Sequence, residues 1–145
     1  MENTEQPLGT APQGTVLVID DDPLIGRLLA KAFRRHVNKT LVCSNIDDAM
    51  QIIREARPDL IILDIHFPPT ADDIQRDGFW TLEWINQVAE IKDTPVIMIS
   101  GDDAVTTRPK ALAAGADAFI QKPLHLEELI NVTVNLITLS YEATS

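Results

Sequence analysis

The chain has one cysteine, only 12 basic residues against 22 acidic ones, and no long apolar run. Each scarcity closes off a class of protein. With Cys43 alone, neither an internal disulfide framework nor a cysteine-built zinc site can form within one chain, and a reducing compartment, the cytoplasm, is expected. Its setting in the apolar run "LVCS" predicts a buried structural thiol. A formal net charge of −10 argues against direct nucleic-acid binding, which leans on clusters of Lys and Arg. The densest basic spot, "FRRH" at Phe33 to His36, reads as the end of a helix. No apolar stretch approaches the ~18 residues of a membrane span, and no signal-peptide pattern opens the chain. What remains, 145 residues with 45% apolar content, suits one globular domain.

The opening "MENTEQPLGTAPQG", residues 1–14, lacks periodicity and reads as a disordered tail. Five short apolar runs follow: "TVLVI" (15–19), "TLVCS" (40–44), "LIILD" (60–64), "PVIMIS" (95–100) and "AFIQ" (118–121). Most are continuous rather than alternating, as strands covered on both faces should be. Helix-spaced stripes separate them, beginning with Leu24, Ile25, Leu28, Leu29, Ala32 and Phe33. Pro58 stops the second helix, and Leu126, Leu129, Ile130, Val134 and Ile137 mark the last. Because proline is excluded from helix interiors, Pro109 predicts a fourth helix that starts late, near Thr107 or Arg108, ends at Gly115, and leaves "GDDAVTT" as a loop. The alternation is (βα)5, a parallel sheet with right-handed crossovers over residues 15–139, with 140–145 as a C-terminal tail.

The run "TVLVIDDDP", Thr15 to Pro23, ends in three adjacent carboxylates. One such like-charged pair about 4 Å apart costs on the order of 4 kcal/mol near a surface. Asp22 and Pro23 suit a helix start; Asp20 and Asp21 ask for a cation. In an open parallel sheet, ligands bind beyond the carboxyl ends of the strands. Those ends carry Asp20 to Asp22, then Asp64, then Ser100, with Lys122 just after the fifth strand. Paired carboxylates suit Mg²⁺, with Mn²⁺ as an alternative. A carboxylate beside such an ion can attack phosphorus, and a hydroxyl and an ammonium can hold the transferred oxygens.

Taken together, "VLVIDDDP", "PDLIILD", "PVIMISG" and "GADAFIQKP" resemble the receiver domain of two-component response regulators. The resemblance implies a flavodoxin-like, doubly wound sheet of order 2-1-3-4-5. It also implies that Asp64 accepts a phosphoryl group from a sensor histidine kinase or phosphotransfer protein, and that Asp20 and Asp21 organise Mg²⁺ together with Asp64 and the His66 main-chain carbonyl. By the same resemblance Ser100 and Phe119 are the switch pair and Lys122 completes the catalytic set. His66 and Asp102 occupy the positions that tune phosphoryl lifetime, and Lys122–Pro123 is expected to be cis.

One departure is an insertion, "PTADDIQR" at 69–76, before Asp77 and Gly78; it reads either as a solvated loop or as a partner-selective lip. On the last helix, Val132, Leu136 and Leu139 form an apolar flank, expected either to be covered by a neighbouring helix or to make a homodimer or docking surface with the fifth strand and the helix before it. Two other functions fit parts of the pattern. "IDDDP" contains Asp20-x-Asp22, as in a haloacid-dehalogenase-type phosphatase, although Pro23 and the lack of an acidic pair after Lys122 stand against it. The other is a binding module that works without phosphorylation.

Overall fold

A computed structural model describes residues 14–69 and 76–144. The elements alternate: β1 (Thr15–Ile19), α1 (Pro23–Ala32), β2 (Lys39–Cys43), α2 (Ile46–Ala56), β3 (Leu60–Asp64), α3 (Gly78–Gln87), β4 (Val96–Ser100), α4 (Ala104–Ala113), β5 (Ala118–Gln121) and α5 (Leu126–Thr144). All neighbouring strands pair in parallel, in the order β2-β1-β3-β4-β5. This is the flavodoxin-like (βα)5 arrangement.

Side chains alternate across a strand, so each continuous apolar run feeds two cores at once. Leu17, Ile19, Ile61, Leu63 and Met98 join Ile46, Ala49 and Ile53 of α2, Leu82 and Ile85 of α3, and Ala111 of α4. Val16, Val18, Leu60, Ile62, Ile97 and Ile99 face the other way, onto Leu29 of α1, Phe33 and the α5 residues Leu129 and Ile137. The edge strands β2 and β5 are the ones with exposed residues, β2 more so. Cys43 lies buried at the end of β2, and burial, followed by the charge of Asp48, pushes its thiol up to about 12.

The helices start and stop for local reasons. Asp22 caps α1 by accepting the Leu24 N–H, with Pro23 in the first turn. Asn45 caps α2, Asp77 caps α3 and Asp103 caps α4. Gly26 lets α1 lie on the sheet edge, since a Cβ there would meet Val42 Cγ1 at 2.2 Å.

Two sequence expectations need correction. The fourth helix does not start late. It begins at Ala104, and Pro109 lies inside it. Asp103 accepts the Val105 N–H and Gln121 Oε1 accepts the Ala104 N–H, so the start is fixed by side chains that hold two of its orphan donors. Proline costs the helix one bond, and the capped first turn together with the packing of Thr107 and Ala111 outweighs it. The last helix also runs to Thr144, through residues expected to be a tail. No glycine or proline interrupts it. The expected N-terminal tail lies outside the described residues except for Gly14, and so does the insertion except for Pro69 and Arg76.

Candidate functional site

The register brings the strand ends level. Ile19 pairs with Leu63, Asp64 with Ile99, and Ser100 with Gln121. Asp20 therefore emerges beside Asp64, and Lys122 emerges beyond Ser100, whose carbonyl accepts the Lys122 N–H at 2.7 Å. The Lys122–Pro123 bond is cis.

The three adjacent carboxylates divide the work. Asp20 is buried; its Oδ1 accepts the Asp22 N–H at 2.9 Å and its Oδ2 accepts Lys122 Nζ at 2.9 Å. Asp21 is exposed, and Asp22 caps α1. Asp64 is buried, with Oδ1 lying 3.5 Å from Lys122 Nζ. Behind it the chain is tight. A Cβ on Gly78 would stand 2.4 Å from the Asp64 carbonyl oxygen, and the Gly78 N–H donates to the Ile65 carbonyl at 2.7 Å.

Charge crowds this pocket. Burial, then the negative charge of Asp20, pushes the Asp64 carboxyl up to about 6; Lys122 opposes the rise and Asp21 adds to it. Burial alone would lower the Lys122 ammonium, but its contacts with Asp20 and Asp64 outweigh that and hold it above its ordinary range. Carboxylate oxygens of Asp20, Asp21 and Asp64 lie within 4.8 Å of one another. Hard oxygen donors at that spacing fit a small divalent cation, whose opposite ligands stand about 4 Å apart. The residues present therefore suit Mg²⁺ or Mn²⁺.

A family model for the response regulator receiver domain matches residues 16–134. This chain belongs to that family. It is 31% identical over 124 residues to the two-component response regulator ARR2 of Arabidopsis thaliana, covering 84% of this chain and 17% of ARR2. It is 28% identical over 126 residues to the uncharacterized transcriptional regulatory protein YvcP of Bacillus subtilis, covering 87% of this chain and 49% of YvcP. This receiver domain thus spans half or less of the length of those two relatives. Among solved structures, the receiver domain of NtrX from Brucella abortus superposes with a TM-score of 0.74 at 30% identity, covering 85% of this chain and 98% of that one. The receiver domain of a putative LuxO repressor from Vibrio parahaemolyticus shares the fold at a TM-score of 0.80 and 24% identity, over 91% and 95% of the two chains. The match is to receivers rather than to the haloacid-dehalogenase type.

Of the expected site residues, Asp20, Asp21, Asp64 and Lys122 come together. Ser100 is fully buried, and its Oγ accepts the Asp102 N–H at 3.0 Å. Phe119, the other member of the expected switch pair, is buried in the same core as Met98 of β4 and Ala111 of α4. Arg108 of α4 holds it there: its guanidinium lies 5.6 Å from the ring centroid and donates to the Phe119 carbonyl at 3.4 Å. The expected partner flank on α5 is divided. Val132 and Leu136 are half-buried against the core, and only Leu139, 59% exposed, stands out. The sequence reading missed Arg108, which nothing in the local pattern marks, and the contact between His66 and Asp102, 2.6 Å between Nε2 and Oδ2.

Proposed function

We propose that this receiver domain takes a phosphoryl group onto Asp64 from a phosphohistidine of a sensor histidine kinase or phosphotransfer protein, and passes the event to a partner or output domain by rearranging its α4–β5–α5 face. The observation that carries this reading is the setting of Asp64: a buried carboxylate at a strand end, gathered with Asp20 and Asp21 and faced by Lys122.

In the transfer an Asp64 oxygen forms a bond to phosphorus and the phosphorus–nitrogen bond of the donor breaks. The imidazole leaves with that electron pair and takes a proton from water. An Asp64 pKa of about 6 leaves the carboxylate ionised, and so nucleophilic, at neutral pH. Lys122 Nζ is placed to hold a phosphoryl oxygen. Bound Mg²⁺, or Mn²⁺ in its place, supplies charge neutralisation around the phosphoryl group; Asp20, Asp21, Asp64 and the His66 main-chain carbonyl would hold it. Ser100 and Phe119 are the switch pair, and the side chains of His66 and Asp102 tune how long the acyl phosphate lasts. The domain turns over no separate substrate; it performs only its own slow phosphoryl uptake and loss in the cytoplasm. Leu139, with the partly covered Val132 and Leu136, contributes to a homodimer or docking surface.

The test is intact mass after treatment with a small phosphodonor and Mg²⁺. A hydroxylamine-labile adduct is expected on the wild type and is missing from Asp64→Asn. Equal labelling of both overturns the assignment.

A further inference from the structure

His66 stands two residues beyond Asp64, and Asp102 two residues beyond Ser100. The strands that launch them are neighbours, so the two loops leave the sheet side by side. Across the gap His66 Nε2 meets Asp102 Oδ2 at 2.6 Å. An ionised carboxylate has no proton to give, so Nε2–H is the donor; the neutral ring suffices, and no change of protonation is invoked. Asp102 does a second thing. Its backbone N–H donates to Ser100 Oγ at 3.0 Å. An unbroken chain thus runs from His66 through Asp102 to the buried hydroxyl of Ser100.

Resting on the phosphoacceptor reading of Asp64, we propose that His66 and Asp102 form a latch that holds the Ser100 hydroxyl in its unphosphorylated position and so opposes switching. For Ser100 Oγ to move toward a phosphoryl group on Asp64, the Asp102 N–H must release it or the whole 101–103 segment must move with it. The second route requires breaking the contact between His66 and the Asp102 side chain. The two are positioning residues that act through Ser100. Their side chains are 66% and 44% exposed, and exposed pairs are weak, so opening the latch shifts the switching equilibrium by about three- to fivefold.

The experiment titrates beryllofluoride, a mimic of the aspartyl phosphate, with Mg²⁺ onto wild type, His66→Met, Asp102→Ala, the double variant and His66→Gln. Asp102→Ala keeps the backbone N–H on Ser100, so it cuts only the link to His66. Each single variant is expected to bind about three- to fivefold more tightly, and the double variant no more tightly than either single one, because both remove the same bond. His66→Gln retains a side-chain donor and returns toward wild-type affinity. In parallel, imidazole ¹⁵N shifts of the metal-free protein should show His66 as the Nε2–H tautomer, with the signal moving in Asp102→Ala. Unchanged or weaker affinity in the single variants, additive effects in the double one, or Gln behaving like Met overturns the latch. A wild type that takes up no beryllofluoride in the presence of Mg²⁺ overturns the phosphoacceptor reading instead, before any variant is compared.

Discussion

Lys122 and Asp20, 102 residues apart in the chain, meet at 2.9 Å in the floor of the acidic pocket. The ammonium also faces Asp64 at 3.5 Å and so serves two buried carboxylates at once. Lys122→Met leaves both without their cation. In the metal-free protein it is expected to lower the unfolding free energy by about 2 kcal/mol, because a buried charge that loses its partner keeps its desolvation cost. Added Mg²⁺ should return part of the loss. Urea unfolding with and without Mg²⁺ reads this out; an unchanged midpoint without the ion refutes it.

Asp64 gives stability a definite pH dependence. Its folded pKa, about 6, lies above the unfolded value near ~3.9, so the fold prefers the protonated form. Below about pH 4 both states hold the proton and the group contributes nothing. Between about pH 4 and 6 the unfolded chain releases its proton first, and stability falls. Above pH 6 the full cost stands, roughly 3 kcal/mol for two pH units. Metal-free Asp64→Asn should therefore melt roughly 6–12 °C above wild type at pH 7.5, with the gap closing toward pH 4. A gap that is independent of pH refutes the assignment of the cost to ionised Asp64.

Glycines at 78 and 101 flank the site, yet only one is sterically required. A Cβ at 78 would press on the Asp64 carbonyl and on Ile65 Cα at 2.7 Å, both backbone atoms that cannot rotate away. Gly78→Ala should cost about 2 kcal/mol or more and impair phosphoryl uptake by shifting the end of β3. At Gly101 nothing lies within 4 Å of the same atom, and Gly101→Ala should stay within about 0.5 kcal/mol of wild type. Thermal melts of the pair decide it.

Thr133 sits one turn from both Leu129 and Ile137 on the buried face of α5, fully enclosed. Among the described residues its hydroxyl has no hydrogen-bond partner. Thr133→Val keeps the shape and removes a desolvated polar atom, so it should stabilise the domain by about 1 kcal/mol. A loss of stability would mean that the hydroxyl finds a partner in solution.

Leu139, rather than Leu136, is the place to test self-association through α5. Leu139→Glu should abolish any dimer formed with Mg²⁺ and beryllofluoride while leaving the melt unchanged, since the side chain is 59% exposed. Sedimentation is the readout; wild type that stays monomeric at high micromolar concentration removes the dimer.

What the sequence made legible follows from which physics is local. The strands stood out because their residues are buried in alternation on both faces, which forces continuous apolar runs such as Leu60 to Leu63. The carboxylates could be gathered because a parallel sheet delivers its strand ends to one side. Pro109 misled because the cost of a proline is local, whereas the side chain that helps start α4, Gln121, arrives from another element. The flank of α5 was only half readable, since helix spacing ranks Val132, Leu136 and Leu139 alike while the neighbours that cover the first two are set by tertiary packing. The pairing of His66 with Asp102 depends on two loop conformations, and no spacing rule encodes those.

The burial of Cys43 makes the natural chain a blank background for thiol chemistry. A thiol held near 12 and enclosed at the end of β2 supplies almost no thiolate at neutral pH. Any cysteine placed on the surface would then be the sole reactive handle. Val105, 80% exposed at the start of α4, offers such a position: Val105→Cys would carry a fluorophore or spin label on the face expected to move, with no need to remove the native sulfur first.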